Sequence, residues 1–388
     1  MPIDIAMGGR SLLTPRTGIG QYVQHLARGL AEQGHGVRYF YGTHWSSAQE
    51  SEQPSSAPLR ARGGLARVAR RLARKHAPGL ARFAPLLEQA RFNAGIQGRR
   101  RPQIYHEPNF IPPRCPCPTV VTVHDVSWVR YPEYHPTARL TLLRTHFPAA
   151  LARTDRVIVV SEFVRQELLA CYSVDPGKIR VVHNGVSAAF TPLGAQHTRA
   201  VLDKHGLAHE RYLAVVGTLE PRKNLTTVLA AHAQLPYAMQ RAYPLVLAGV
   251  EGWLTEALHG CLRVPVQQGT VRLLGYVPDA EVPKLIAGAC ALLYPSVYEG
   301  FGLPPLEAMA CGVPVIASQA AAVKEVVGAA GLLNDALDVN AFAQSMRRVI
   351  EDASLRRQLS ESGRERAHYF SWQRAVHETL AVYRDLLD

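Results

Sequence analysis

Short apolar runs alternate with longer amphipathic stretches along almost the whole chain, a pattern that predicts parallel sheets wound with helices. In the first half, the runs that read as strands are 3–7 (IDIAM), 37–42 (VRYFYG), 104–108 (IYHEP), 119–125 (TVVTVHD), 156–161 (RVIVVS) and 179–185 (IRVVHNG). Between the first two, GQYVQHLARGLAEQG sets Tyr22, Leu26 and Leu30, flanked by Val23, on one helical face, and Gly34 is placed to end that helix. The pattern lapses at 186–192 (VSAAFTP), which reads as a hinge, and restarts with strands at 212–219, 244–250, 271–277, 290–297 and 313–318. The last helices are expected over 354–369 and 371–387, with Ser371 as an N-cap. Two similar α/β halves predict a cleft between them, with ligands at the carboxyl ends of the strands.

Size agrees with two domains, since the chain has 388 residues, 47% hydrophobic and 19% charged. No stretch reaches the roughly 18 uninterrupted apolar residues of a membrane span. The start, MPIDIAMGGR, lacks a charged leader followed by an apolar block, so a cytoplasmic location is expected. Of the six cysteines, Cys171, Cys261, Cys290 and Cys311 are scattered. Cys115 and Cys117 form a lone Cys-Pro-Cys with no second pair to complete a zinc site. All six are expected to be reduced and structural, and no metal is expected.

Charge changes the picture locally. The net charge is +12, and residues 60–101 alone hold twelve Lys or Arg (Arg60, Arg62, Arg67, Arg70, Arg71, Arg74, Lys75, Arg82, Arg91, Arg99, Arg100 and Arg101) against Glu88. The rest is nearly neutral, unlike a nucleic-acid-binding surface. Within the segment, Leu65, Val68, Ala69 and Leu72 lie opposite the basic side chains on a helical wheel, and Leu80, Phe83, Leu87 and Ala90 continue an apolar stripe beyond Pro78-Gly79. A basic amphipathic helix is suited to an anionic membrane surface, at about 1 kcal/mol per Lys or Arg. The alternative is an insert packed on the first domain by its apolar stripe.

Candidate chemistry concentrates in residues 294–318, YPSVYEGFGLPPLEAMACGVPVIAS. A buried strand leads into the tight loop Glu299-Gly300-Phe301-Gly302, then into a helix opened by Pro304-Pro305 and ended by Gly312. Amides at the helix start attract an anion. Glu299 and Glu307 can serve a sugar and a cis-diol such as a ribose. Taken singly, Glu307 could be a helix-dipole acid of the first turn and Glu299 an exposed turn acid. The segment resembles the Glu-x7-Glu motif of the retaining glycosyltransferase family 4, of GT-B fold, and the likeness runs over the chain apart from the basic segment. It extends less specifically to bacterial mannosyl- and rhamnosyltransferases of surface-polysaccharide (O-antigen) assembly. The resemblance implies that Glu299 and the backbone of Gly300, Phe301, Gly302 and Leu303 contact the donor sugar, and that Glu307 holds the ribose.

Three further motifs join it. GTLEPRKN (217–224) follows the second half's first strand, and Arg222-Lys223 at a helix start can neutralise a diphosphate without a metal. The family commonly has an Arg directly after the glycine and a Lys five positions on. Lys223 fits the second, but Thr218 stands at the first, so the missing charge is assigned to Arg222. Thr17-Gly18-Ile19-Gly20 is a poor dinucleotide fingerprint. Through the resemblance it becomes a flexible loop with Gly18 and Gly20 near the diphosphate. His124-Asp125 ends a buried strand; such a His is usually structural, but the family sets one against the donor sugar. Ser161 is expected only to cap its helix. Base contacts through the backbone are expected near Gly275, Tyr276 and Val277.

The expected architecture is α/β, GT-B, with two Rossmann-like domains whose parallel sheets face across a cleft. The first is 1–187, acceptor-side, carrying the basic insertion 60–101 and completed by 371–388 through a returning C-terminal helix. The second is 188–370, the donor domain. The resemblance implies a retaining transfer of mannose or D-rhamnose from a GDP-sugar to a hydroxyl of a lipid-linked or polysaccharide acceptor. Glu299, His124, Lys223 and Arg222 would be the catalytic residues. The partners are the nucleotide sugar, the acceptor and an anionic membrane surface on the cytoplasmic side, without a cofactor or nucleic acid. The alternatives are a nucleotide-sugar epimerase of the same fold and a nucleic-acid binder using the basic segment; the latter has few aromatics for stacking on bases.

Overall fold

The computed structural model describes residues 1–13, 17–47, 84–97, 101–253 and 255–388. Among the described residues, thirteen strands form two sheets. The first has the order β3-β2-β1-β4-β5-β6-β7, from β1 (Asp4–Gly8), β2 (Gly36–Phe40), β3 (Trp45–Ser47), β4 (Ile104–Glu107), β5 (Thr119–Val123), β6 (Arg156–Val159) and β7 (Ile179–Val181). The second has the order β10-β9-β8-β11-β12-β13, from β8 (Leu213–Val216), β9 (Leu245–Ala248), β10 (Val271–Gly275), β11 (Ala291–Tyr294), β12 (Val315–Ser318) and β13 (Leu332–Asn334). Its pairs are all parallel. The α/β, Rossmann-like architecture read from the alternating runs is the observed one.

By internal contacts the chain falls into two compact units. Unit 1 comprises Met1–Thr122, Ala150–Val157 and Ala381–Asp388; unit 2 comprises Val123–Ala149 and Ile158–Leu380. In unit 1 the helix Gly18–Glu32 buries Tyr22, Val23, Leu26 and Leu30, the stripe expected of it, and Gly34 takes a positive φ of 82° just beyond. A buried polar chain crosses this core. Tyr22 OH meets Thr122 Oγ1 at 2.9 Å, Thr122 meets His106 Nε2 at 2.7 Å, and His106 Nδ1 meets Tyr383 OH at 2.6 Å. Tyr383 lies in the last turn of the C-terminal helix Trp372–Arg384, so this network anchors the chain end to β4 and β5. Every member is paired, which is what allows it to be buried. Ser371 Oγ accepts from Arg374 N–H, the expected cap.

The basic segment is described at 84–97 and 101. Its other residues, with Arg60, Arg62, Arg67, Arg70, Arg71, Arg74, Lys75, Arg82, Arg99 and Arg100 and the apolar positions 65–83, lie outside the described residues. The helix Ala84–Gly95 corrects the expected stripe, because Leu87 is 55% exposed and Ala90 is exposed too. The buried face is instead Phe92 with Ile96. Phe92 sits 5.1 Å from Phe40, 5.3 Å from Trp45 and 4.9 Å from Tyr105, ring to ring. One aromatic side chain in such a cage buries more area than a leucine, and it sets the rotation of the helix.

Unit 2 buries β8, β9 and β11 under the helices Leu225–Ala233 and Val339–Glu351, with Leu213, Leu245, Leu293, Phe342 and Met346 in one apolar core. The expected hinge at 186–192 is tied in at its start, where Val186 N–H donates to Phe370 O at 3.1 Å. The described residues contain no helix long and apolar enough to cross a membrane.

Candidate functional site

In the second sheet β8 is central. The chain moves from β8 to β9 and β10 on one side and then crosses to β11 on the other. The loops leaving β8 and β11 therefore diverge, which makes their carboxyl ends a topological switch point where parallel sheets bind ligands. After β8, Gly217 has φ 144°, and a Cβ at Gly249 beyond β9 would lie 1.8 Å from Gly217 O, so these two backbones pack too closely for any side chain at Gly249. Pro221–Lys223 form a 3₁₀ turn, Asn224 is left-handed at φ 50°, and only then does the helix Leu225–Ala233 begin. Arg222 and Lys223 thus precede the helix rather than open it. After β11 the chain runs through 295–302 to the helix Leu303–Ala310, entered from Gly302 at φ 111°.

The two loops are sewn together. Val297 N–H donates to Arg222 O at 3.0 Å, Asn224 Nδ2 to Pro295 O at 3.2 Å, and Arg222 Nη1 to Tyr298 O at 2.9 Å. Inside this frame Glu299, 7% exposed, receives Arg222 Nη1 on Oε2 at 2.7 Å and Lys223 Nζ on Oε1 at 2.7 Å. Lys223 also donates to Tyr294 OH at 2.8 Å, its ammonium 4.7 Å from that ring's centre. Arg222 Nη2 reaches Glu220 Oε1 at 2.6 Å. Burial pushes Glu299 up, but Arg222 and then Lys223 outweigh it and hold the carboxyl at about 2. Burial would lower Arg222, yet Glu299, Glu220 and Asp125 raise it well above its ordinary range. Burial likewise raises Asp125, and Arg222 with the Ser127 hydrogen bonds brings it below its usual value.

Where a diphosphate was expected beside Arg222 and Lys223, the anion that they meet in the structure is Glu299 of the chain itself. Two members of the cluster, Glu220 and Asp125, had no role read from the sequence. Nothing distinguishes Glu220 within GTLEPRKN, and Asp125 is distant along the chain. Lys223 and Tyr294 also line a small recess with Gly217, Thr218 and Ser296.

Gly300 is required by a second close approach. A Cβ there would lie 1.6 Å from His124 O, so the glycine loop rests on the backbone of the segment after β5. His124 and Asp125 follow that strand instead of ending it. Ser161 does cap the helix Glu162–Cys171, accepting from Val164 N–H at 3.1 Å, but its hydroxyl also donates to Gly300 O at 2.7 Å. It is part of the loop's support, which the capping pattern alone did not reveal. Tyr298 OH accepts from Val126 N–H at 3.3 Å and adds a second tie to the segment after β5.

Glu307 is the fifth residue of its helix and 4% exposed, so it is neither a first-turn acid nor a surface one. Burial, with Asp279 nearby, raises it to about 8. Gly275 ends β10 at φ 65°, with Tyr276 half exposed and Val277 buried beside it. Gly18 and Gly20 belong to unit 1. They form the first turn of a helix capped by Thr17, whose Oγ1 accepts from Gly20 N–H at 3.2 Å, and this replaces the flexible loop expected there. All six cysteines are free.

A strand-switch pocket with a clamped carboxylate, in a chain of two Rossmann-like sheets, is the build of a GT-B protein. The solved structure of sucrose-phosphate synthase from Thermosynechococcus elongatus shares the fold with TM-score 0.76, covering 99% of this chain and 98% of that one at 23% identity. Residues 16–190 match the family model Glycosyltransferase Family 4, and residues 200–366 match Glycosyl transferases group 1. The O-antigen chain mannosyltransferase B of Escherichia coli is 34% identical over 373 residues, 95% of this chain and 96% of that protein. The serotype-specific mannosyltransferase WbdA of Escherichia coli is 28% identical over 62% of this chain and 30% of its own length. The chain belongs to glycosyltransferase family 4 and is a glycosyltransferase.

Proposed function

We propose that the protein transfers mannose, or its 6-deoxy relative D-rhamnose, from a GDP-sugar to a hydroxyl of a lipid-linked or polysaccharide acceptor, with retention of anomeric configuration. The observation that carries the donor side is Glu299, clamped between Lys223 and Arg222 at the β8/β11 switch point. The mannosyl and O-antigen assignment of the relatives supports the sugar and the pathway class. In this reading the C1–phosphate bond breaks and the C1–acceptor bond forms on the same face. The acceptor proton passes to the leaving phosphate oxygen, so no metal and no carboxylate nucleophile is needed.

Within the cluster the roles divide. Arg222 is engaged by Glu299 and Glu220 and lies in the field of Asp125, so it is a positioning residue that fixes Glu299. Lys223 shares Glu299 and is the cation that turns toward an incoming diphosphate, stabilising the charge that grows there. That movement frees one oxygen of Glu299 for the donor sugar's hydroxyls. In this reading Arg222 acts through Glu299 and does not itself replace the charge absent at Thr218. His124 would orient the sugar, the amides of 300–303 would cradle it, and Glu307 would accept from the ribose hydroxyls.

Calorimetric titration with GDP, UDP, ADP and dTDP, followed by turnover with the matching sugars on mannose-terminated acceptors, tests this reading. GDP binding and mannosyl or rhamnosyl transfer are expected; tight binding of UDP but not GDP would overturn the donor. We further propose that the basic segment 60–101 holds the enzyme on an anionic membrane. Vesicles containing anionic lipid should sediment the wild type and lose the protein when Arg67, Arg70, Arg71 and Arg74 become Ser. Unchanged sedimentation would leave the segment as a packed insert.

A further inference from the structure

The loop that carries Glu299 has a support that begins on a different helix. The helix Glu162–Cys171 starts, like any helix, with amide groups that have no partner inside it. Ser161 takes two of them, its Oγ accepting from Val164 N–H at 3.1 Å and its carbonyl from Arg165 N–H at 3.1 Å. The other two are taken by one carboxylate from outside. Glu325, in the helix Ala321–Val327, accepts Glu162 N–H on Oε1 at 2.9 Å and Phe163 N–H on Oε2 at 3.0 Å. The helix dipole also favours a negative charge at this end.

Glu325 holds a third donor, since His183 Nε2 donates to Oε1 at 2.8 Å. Burial would raise its carboxyl, and the hydrogen bonds from His183, Glu162 and Phe163 hold it below its usual value, so it stays ionised. Its own backbone is fixed from behind. Arg366 Nη2 donates to Glu325 O at 2.7 Å, and Arg366 Nε to Val326 O at 3.0 Å.

The groups that Glu325 holds are the ones that rest on residues 298–301. At the helix start, Ser161 donates its hydroxyl to Gly300 O at 2.7 Å. Phe163 packs edge-on against Tyr298, the ring centres 5.5 Å apart. His183 lies 6.1 Å from the Phe301 ring and 5.7 Å from Phe370, and those two rings are 5.7 Å from each other. These contacts fall on the residues either side of Glu299, whose carboxylate faces Lys223 and Arg222.

We propose that Glu325 is a positioning residue for the transfer: it fixes the start of the helix Glu162–Cys171 and the His183 ring, and through them the loop that presents Glu299 to the donor sugar. The inference rests on the donor reading of Glu299 and deepens it. Without the Glu325 charge one helix amide loses its acceptor, Ser161 shifts with the helix start, and Gly300 and Phe301 lose their seat. Lys223 lies in the turn after β8 and Glu307 in the next helix, so the nucleotide side of the site is kept while the sugar side loosens. A misplacement of about 1 Å in a group that orients substrate can cost roughly a hundredfold in rate, so a small shift suffices.

The test compares the full-length wild type with Glu325→Gln, which keeps the side chain's shape but turns one acceptor oxygen into an amide that faces a donor. GDP should bind the two proteins with affinities within twofold. With GDP-mannose and a mannose-terminated acceptor, kcat should fall at least tenfold while the acceptor KM stays within threefold. Hydrogen exchange should quicken in the variant at the amides of 162–163 and 299–302, and stay as in the wild type in β8 and β9. His183→Phe keeps a ring against Phe301 and Phe370 but removes the bond to Glu325, so it should lower kcat by a smaller factor with GDP affinity kept. It carries the test if Glu325→Gln does not fold, as thermal melting would show. Unchanged kcat, unchanged exchange at 299–302, or joint loss of GDP affinity and turnover in the folded variant would overturn the proposal. A wild type that binds no nucleoside diphosphate would defeat the donor reading instead, and the exchange comparison would still decide whether Glu325 supports the loop.

Discussion

The two sheets place a glutamate at the same topological position and give it opposite chemistry. After β11, Glu299 is ringed by cations and held ionised at about 2; at the end of β4, Glu107 has a tyrosine and an amide for company and is raised to about 7. Burial acts on each in the same direction, Glu299 being buried and Glu107 partly so, and the difference lies in the charged neighbours. Arg222 and Lys223 make the second sheet's switch point suited to an anion-bearing donor. At the first, the neighbouring cation Arg10 is exposed and paired to Glu88. On the proposed reading, the chemistry of a site is set by the loops that leave the strands, not by the fold.

The largest effect that sharpens this comparison is expected from Arg222. Arg222→Ala leaves Glu299, Glu220 and Asp125 without their shared cation, and removing one partner of such a buried pair costs about 3–5 kcal/mol. Thermal melting should show a clear loss of stability. A variant as stable as the wild type would remove Arg222 from its positioning role.

Glu307 extends the comparison to a third buried carboxyl. Its folded-state value of about 8 lies above that of an unfolded glutamate, so its contribution favours the folded state at low pH and is lost as pH rises from about 4.5 to 8. Glu307→Gln should be more stable than the wild type at pH 7 by roughly 3 kcal/mol, since each tenfold change in proton affinity is worth about 1.4 kcal/mol. The two proteins should match near pH 4.5, and denaturant melts at the two pH values decide it. The same substitution should weaken GDP binding if the ribose is held there.

Lys223→Ala and Glu299→Ala should each lower turnover at least a hundredfold, about 2.7 kcal/mol of barrier. Lys223→Ala also breaks a buried pair, so it should melt below the wild type, but by less than Arg222→Ala because Arg222 still holds the carboxylate of Glu299. Near-normal turnover in either would sink its assignment.

Much of the fold was legible because it is written in local periodicity. All eleven sequence-predicted strands overlap observed ones. The two that were missed lack an apolar run: Trp45–Ser47 is a three-residue edge strand, and Leu332–Asn334 is half exposed. Of the proposed donor site, Glu299, Lys223 and Gly300 could be singled out in the sequence, because charge and close approach leave residue-type signatures. Its support was not. Glu220 and Asp125 are ordinary acids until folding sets them around Arg222, and the hydroxyl of Ser161 reaches across 139 positions to Gly300. Gly18 and Gly20 misled for the opposite reason, since a glycine pair next to a threonine fits a loop as well as the capped first turn it forms. The helix at 84–95 was given the wrong buried face because the wheel weighed leucines and omitted the aromatic cage that receives Phe92.

The central claim is that the Lys223–Glu299–Arg222 clamp is a donor diphosphate site, and titration of GDP into wild type and Lys223→Ala tests it most directly. Binding to the wild type, weakened at least tenfold in a variant that still melts cooperatively as a folded protein, is the expected result. Equal affinity in the two proteins, or no nucleoside diphosphate bound by the wild type, would contradict it.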